Sequence, residues 1–322
     1  MTRITKRPAG VFAKLTMVSG LALLACACVS SPVREPAGLT IDDREVYPES
    51  LTSTRAGAIY VGSIKGNIYR ALPSERLATA WIRPDARNGL GSVFGVLADE
   101  ASRTLWVCSV PNPFAPPVPG TVASLVAFDL ASGAFRARYD FPPPRSVCND
   151  MTVARDGSVY ATDTSNGRIL RLRKGAAALD LFGEGDALKG ADGIAFSGDG
   201  GLYVNIVTRG ALLRVATGQD GRMGALTQLS VDATLGGPDG MRLIEGNRFL
   251  LAEGTAGRID EVRIDGDRAQ VSVLKSGLQS SPGVTRIGRT AYAIEGKIGY
   301  LTDPALRGKD PGAFTVTAIP MP

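Results

Sequence analysis

The sequence predicts an all-β fold, a six-bladed β-propeller with four antiparallel strands per blade. Three observations carry this. One strand-and-turn unit recurs six times, each unit is punctuated by Gly, Asp or Asn at hairpin spacing, and no long helical period interrupts the series. The units begin at Glu49, Ser92, Asn149, Asp192, Asp239 and Pro282, at spacings between 43 and 57 residues. A β-sandwich would not repeat in this way.

Within each unit a small or acidic residue opens a short apolar strand. A turn follows, then a second strand carrying Tyr, Trp or Phe, then a third. Residues 155–158 (RDGS), 198–201 (GDGG) and 245–247 (EGN) are hairpin signals. Residues 76–82, 134–140 and 268–275 read as fourth strands. The one long spacing comes from residues 110–121, whose five prolines cannot join a ladder, so they form a loop: an ordinary Pro-rich linker on one reading, a stiff lid over one face of the disc on the sharper one.

Ahead of the repeats, residues 1–25 have a basic region with Arg3, Lys6, Arg7 and Lys14, then an apolar stretch from Leu15 to Ala25, as a secretory signal does. Leu23-Leu24-Ala25-Cys26 resembles a bacterial lipobox, which makes Cys26 the lipidated new N-terminus, with Cys28 as the competing position. Residues 26–45 are then the lipidated Cys and a linker, and residues 46–322 the propeller. Ala27 in place of an acid implies the outer membrane, facing the periplasm of the bacterial cell envelope. Contact with the membrane is expected through the lipid anchor only. Lys and Arg number 36 against 31 Asp and Glu, but four of the bases lie in the signal segment, so the rest is nearly neutral. With no basic run and no interleaved aromatics, nucleic acid is excluded as a partner. Export permits a disulfide between Cys108 and Cys148; two buried thiols are the alternative.

In a propeller the inner strand of each blade starts on the face where the second strand ends, so these positions converge on one mouth. The inner-strand starts supply Glu49, Asn149, Asp150, Asp192 and Asp239; the second-strand ends supply Asp163, Glu253 and Glu295. Acids gathered without Lys or Arg repel one another unless a cation sits among them, and hard oxygens of this kind suit calcium. The competing reading is that Asp and Asn only make turns. The chain contains no histidine, which removes Ser-His-Asp and Cys-His catalysis and His-ligated zinc. No phosphate-cradling glycine motif supports a nucleotide cofactor.

The motifs YPESL at residues 47–51, CNDMTVARDG at 148–157, GADG at 190–193 and GPDGM at 237–241 resemble those of the senescence marker protein (regucalcin), gluconolactonase and luciferin-regenerating-enzyme family of six-bladed propellers. The resemblance covers most of residues 46–302. It implies a divalent metal, Ca²⁺ by preference, held by Glu49, Asp192 and Asp239. It also implies Asp239 as catalytic base and Asn149 as a substrate-binding residue, with Arg145 the nearest candidate for the family's substrate-binding arginine, since position 147 is Val. Asp192 stands where the family has Asn. The expected function is metal-dependent hydrolysis of a lactone or similar cyclic ester, with a small molecule as substrate or ligand. The alternative is a non-catalytic envelope propeller that binds a small molecule or protein around a structural metal.

Overall fold

The computed structural model describes residues 1–3, 10, 37–116 and 118–322. Cys26 and nearly all of the signal segment lie outside the described residues. Among those described, no helix is long and apolar enough to cross a membrane.

The inner strands are Pro48–Ser53, Ser92–Asp99, Cys148–Val153, Ala191–Phe196, Pro238–Glu245 and Val284–Ile287. Each begins an antiparallel blade whose neighbours follow in chain order. The inner strands touch one another in cyclic order, the sixth against the first, so the blades close into a ring around a channel. Local sequence explains the strands. Val159–Asp163 (VYATD) is rich in β-branched and aromatic residues. Its hairpin turns at Gly157, φ +85°, while Asp156 Oδ1 accepts the Ser158 N–H.

Closure of the ring corrects the expected domain boundary. Residues 26–45 were expected to be linker, but Leu39–Ile41 is a strand. It supplies the outer strand of the sixth blade, antiparallel to Thr315–Pro320 in the register Leu39 to Val316 and Thr40 to Thr315. The same strand lies parallel to Leu77–Ile82 of the first blade, so the N-terminal strand clasps last blade to first.

Each pair of adjacent blades packs its own apolar core. Leu39, Leu51 and Phe314 lie between the sixth and first, Val93, Val107 and Phe128 between the first and second, and Leu125, Met151 and Leu170 between the second and third. Three equivalent clusters complete the circle. Burial is thus spread over six interfaces of the kind that hold stacked sheets together.

Cys108 and Cys148 form a disulfide that ties the second strand of the second blade to the inner strand of the third, with Cα atoms 5.2 Å apart. The loop 110–121 does not pack as a lid. Its described residues from 112 onward are exposed, Phe114 at 45% and Val118 at 63%, and its hydrogen bonds stay within the loop.

Candidate functional site

Five of the six inner strands carry a β-bulge near their first residues. The register skips between Pro48 and Ser50, Val93 and Gly95, Cys148 and Met151, Ala191 and Ile194, and Pro238 and Met241. A bulge sets two residues against one on the partner and re-aims their side chains. The residues it re-aims here are Glu49, Phe94, Asn149 with Asp150, Asp192 and Asp239. The glycine beside the bulge lets the blades approach. A Cβ on Gly193 would run into the Asp239 carbonyl, and one on Gly240 would lie 2.9 Å from the Pro282 carbonyl. Asn205 then ties the fourth blade to the fifth, accepting the Gly193 N–H at 3.2 Å and donating to the Asp239 carbonyl. This is the physical content of the acid-glycine pairs in the sequence.

Glu49, Asp192 and Asp239 come together at the mouth. Asp192 is buried, while Glu49 and Asp239 keep partial exposure. Burial raises the pKa of all three, and the charge of Asp150 adds to each. Asp192 also raises Glu49 and Asp239, and Glu49 raises Asp239, while hydrogen bonds from Asp239 and Asn149 and the charge of Arg242 pull Asp192 partly back. Asp192 is pushed up to about 8. Asp192 and Asp239 lie close enough for each to act on the other's carboxyl. Asn149 donates both Nδ2 hydrogens, one to Asp192 Oδ2 at 2.8 Å and one to Thr164 Oγ1 at 3.1 Å, which leaves its Oδ1 as an acceptor for the mouth. The buried Asp192 Oδ1 has no hydrogen-bond partner at all.

The other acids of the expected ring are drawn away by partners. Asp150 is held by Arg242, Nη1 to Oδ2 at 2.6 Å and Nη2 to Oδ1 at 3.0 Å. Arg242 reaches from the fifth blade across the channel to the third, and also to the Val96 carbonyl of the second. Asp163 is fully buried against Arg168 at 2.7 Å and accepts the Val147 N–H. Glu253 pairs with Arg258 at 2.7 Å and accepts the Gly236 N–H. Glu295 accepts the Gln279 N–H at 2.7 Å. Asp163, Glu253 and Glu295 therefore brace their own blades and loops, contrary to the expectation that they face the mouth. Arg145 stands exposed on the loop before Cys148.

Reading the sequence alone missed Arg242. The Asp150–Arg242 pair joins residues 92 apart in sequence, and no local signal marks it. The Asp163–Arg168 and Glu253–Arg258 pairs did leave one, since DTSNGR and EGTAGR place an acid five residues before an arginine in equivalent turns.

Hard oxygen donors suit a divalent cation, and a buried carboxylate oxygen without a hydrogen-bond partner is one that a cation would satisfy. The carboxylates do not converge into a finished set, however. Among the described residues, no group of three or more His, Cys, Asp or Glu is arranged to hold a metal ion.

No protein-family model and no curated protein sequence matches the chain. Solved structures do. The chain is similar to a luciferin-regenerating enzyme, with TM-score 0.62 at 13% identity over 89% of this chain and 94% of that one. It is similar to a protein assigned as a gluconolactonase, with TM-score 0.62 at 14% identity over 88% and 93%. It also resembles virginiamycin B lyase from Staphylococcus aureus, in a histidine-to-alanine form described as catalytically inactive, with TM-score 0.58 at 14% identity over 88% and 98%. At such identities the likeness establishes the fold. The protein is a six-bladed β-propeller of the architecture that gluconolactonase, luciferin-regenerating enzyme and virginiamycin B lyase share.

Proposed function

We propose that the protein is a divalent-cation-dependent hydrolase of a lactone or similar cyclic ester, tethered to the bacterial envelope through a lipidated Cys26. The observation that carries this reading is the meeting of Glu49, Asp192 and Asp239 from three blades at one mouth, with Asp192 Oδ1 unsatisfied and every neighbouring acid already paired elsewhere. Glu49, Asp192 and Asp239 would hold the cation, with Asn149 Oδ1 as a further oxygen donor, and calcium is favoured because all the donors are hard oxygens. When bound, the cation would supply Lewis-acid polarisation of the ester carbonyl. Burial and the charges of Asp192, Glu49 and Asp150 hold Asp239 toward its protonated form, in which it is a poor base. With a cation held among the carboxylates, Asp239 would ionise more readily and could accept a proton from an attacking water. Asn149 holds Asp192 in place, because both its N–H groups are committed there and to Thr164. Phe94, at the matching bulge of the second blade, is partly buried and packs against the apolar cores of the sixth–first and second–third interfaces.

The lyase neighbour offers less support. Its histidine-to-alanine form is described as inactive, whereas this chain has no histidine to place in such a role.

The test is hydrolysis of a lactone panel with Ca²⁺ and other divalent ions. Asp239→Ala is expected to lower turnover by roughly 10²–10⁴-fold, as loss of a general base does. A panel showing no hydrolysis above that variant sinks the reading. If chelation then still lowered the melting temperature, the envelope propeller with a structural metal would take its place.

A further inference from the structure

We propose that the opposite end of the channel is a second binding site, for a small amphiphilic anion with an apolar body and one carboxylate or sulfonate group. The far ends of all six inner strands line a cavity of about 750 Å³ there, within the range of small-molecule sites. Its wall is apolar, with Leu97, Met151, Ile194, Phe196 and Met241 among the lining residues. The ion pair Asp150–Arg242 crosses the channel and separates this end from the acidic mouth.

Among the described residues, two guanidinium groups lining this end, Arg155 and Arg286, have no carboxylate partner and bond only to backbone carbonyls. Arg242 lines the cavity as well, but both its Nη atoms are committed to Asp150, and its unpartnered Nε is buried. Arg286 donates only to backbone carbonyls, Gly288 at 3.1 Å and Ile244 at 2.9 Å, and Arg155 donates to the Gly198 carbonyl. A side cavity of about 320 Å³ shares Arg155 with the first. It is also lined by Trp106, whose Nε1 is buried without an acceptor. Carboxylates are present too, Glu100 paired with Arg55 and the others held by neutral donors. Asp99 accepts from Ser102 and the Ala101 N–H, Glu100 from Arg55, Asp156 from the Ser158 N–H, and Asp199, near Arg155, from Ser197 and the Gly201 N–H. The acidic mouth has the reverse defect, a buried acceptor without a donor at Asp192 Oδ1. A ligand that brings acceptors to arginines and carbon to the wall therefore belongs at this end and not at the other.

Calorimetric titration of the wild-type protein with octanoate and with octan-1-ol tests the site. Octanoate is expected to bind at least tenfold more tightly than the alcohol, and added Ca²⁺ is expected to leave its affinity unchanged. The double variant Arg155→Met, Arg286→Met should weaken octanoate binding by roughly tenfold or more, the worth of a hydrogen bond to a charged group. Leu243→Glu, which adds a charge at a rim position 38% exposed, should weaken octanoate binding while leaving both arginines in place. Absence of octanoate binding at millimolar concentration overturns the proposal. So does equal affinity for octanol, or full affinity in the folded variants. None of these outcomes bears on lactone hydrolysis at the acidic mouth.

Discussion

Asp260 shows how one residue reports its surroundings. Its side chain is fully buried beside Glu253 and is 3.0 Å from Arg258, and its Oδ1 has no partner. Burial first, then the hydrogen bond and charge of Glu253, push it up to about 8, against the pull of Arg258. A carboxyl raised in the folded state contributes stability that is complete below its unfolded pKa, about 3.9, and is lost as pH climbs to the folded value. Raising the pH from 5 to 9 should therefore destabilise the wild type more than Asp260→Asn, by roughly 1–3 kcal/mol in urea melts. Parallel pH profiles for the two proteins would contradict this. The positions of Glu49, Asn149, Asp192 and Asp239 were legible because each stands at the start of a repeat, beside the turn residues. Their environment was not. Which carboxylate keeps its proton, and which is neutralised by Arg242, depends on contacts across the channel that no local pattern encodes.

At the scale of the strand and turn, the acid at the end of a second strand is an internal brace. Asp163 accepts from Arg168 Nε and Nη2 and from Asn166, while the same guanidinium reaches the Pro142 and Pro143 carbonyls. The turn is thereby fixed to the loop that leads into Asn149. Arg168→Ala leaves a fully buried carboxylate unpaired and is expected to cost about 3–5 kcal/mol by denaturant unfolding. Arg44→Ala, which removes an ion pair whose side chains are 73% and 70% exposed, should leave stability within error of wild type. An Arg168→Ala protein as stable as the Arg44→Ala protein would show that the brace is dispensable. The strands were readable because alternation and turn chemistry are local. The bulges were not, although the acid-glycine pairs at 192–193 and 239–240 mark two of them, since a bulge is defined by its partner's register.

For the whole molecule, ring closure is the feature least visible in sequence. Leu39–Ile41 is three residues long, lies in a stretch that otherwise reads as linker, and pairs with a strand near the other terminus. Leu39 and Ile41 are both buried in the core between the sixth and first blades. A chain beginning at residue 46 would lose both side chains and leave two strand edges unpaired. It should be destabilised by at least about 3 kcal/mol, from apolar burial alone, and should self-associate. A chain beginning at residue 36 should behave as wild type in thermal unfolding and size-exclusion chromatography. Equal behaviour of the two would mean that closure does not depend on this strand.

The central claim is that Glu49, Asp192 and Asp239 form a cation site at one end of the channel. Calorimetric titration of Ca²⁺ into the mature protein at pH 7, repeated in buffers of different ionisation enthalpy, tests it most directly. The account predicts a single bound Ca²⁺ with release of protons from the raised carboxyls, and loss of binding in both Asp192→Ala and Asp239→Ala. Absence of binding, or binding that both variants retain, would contradict it.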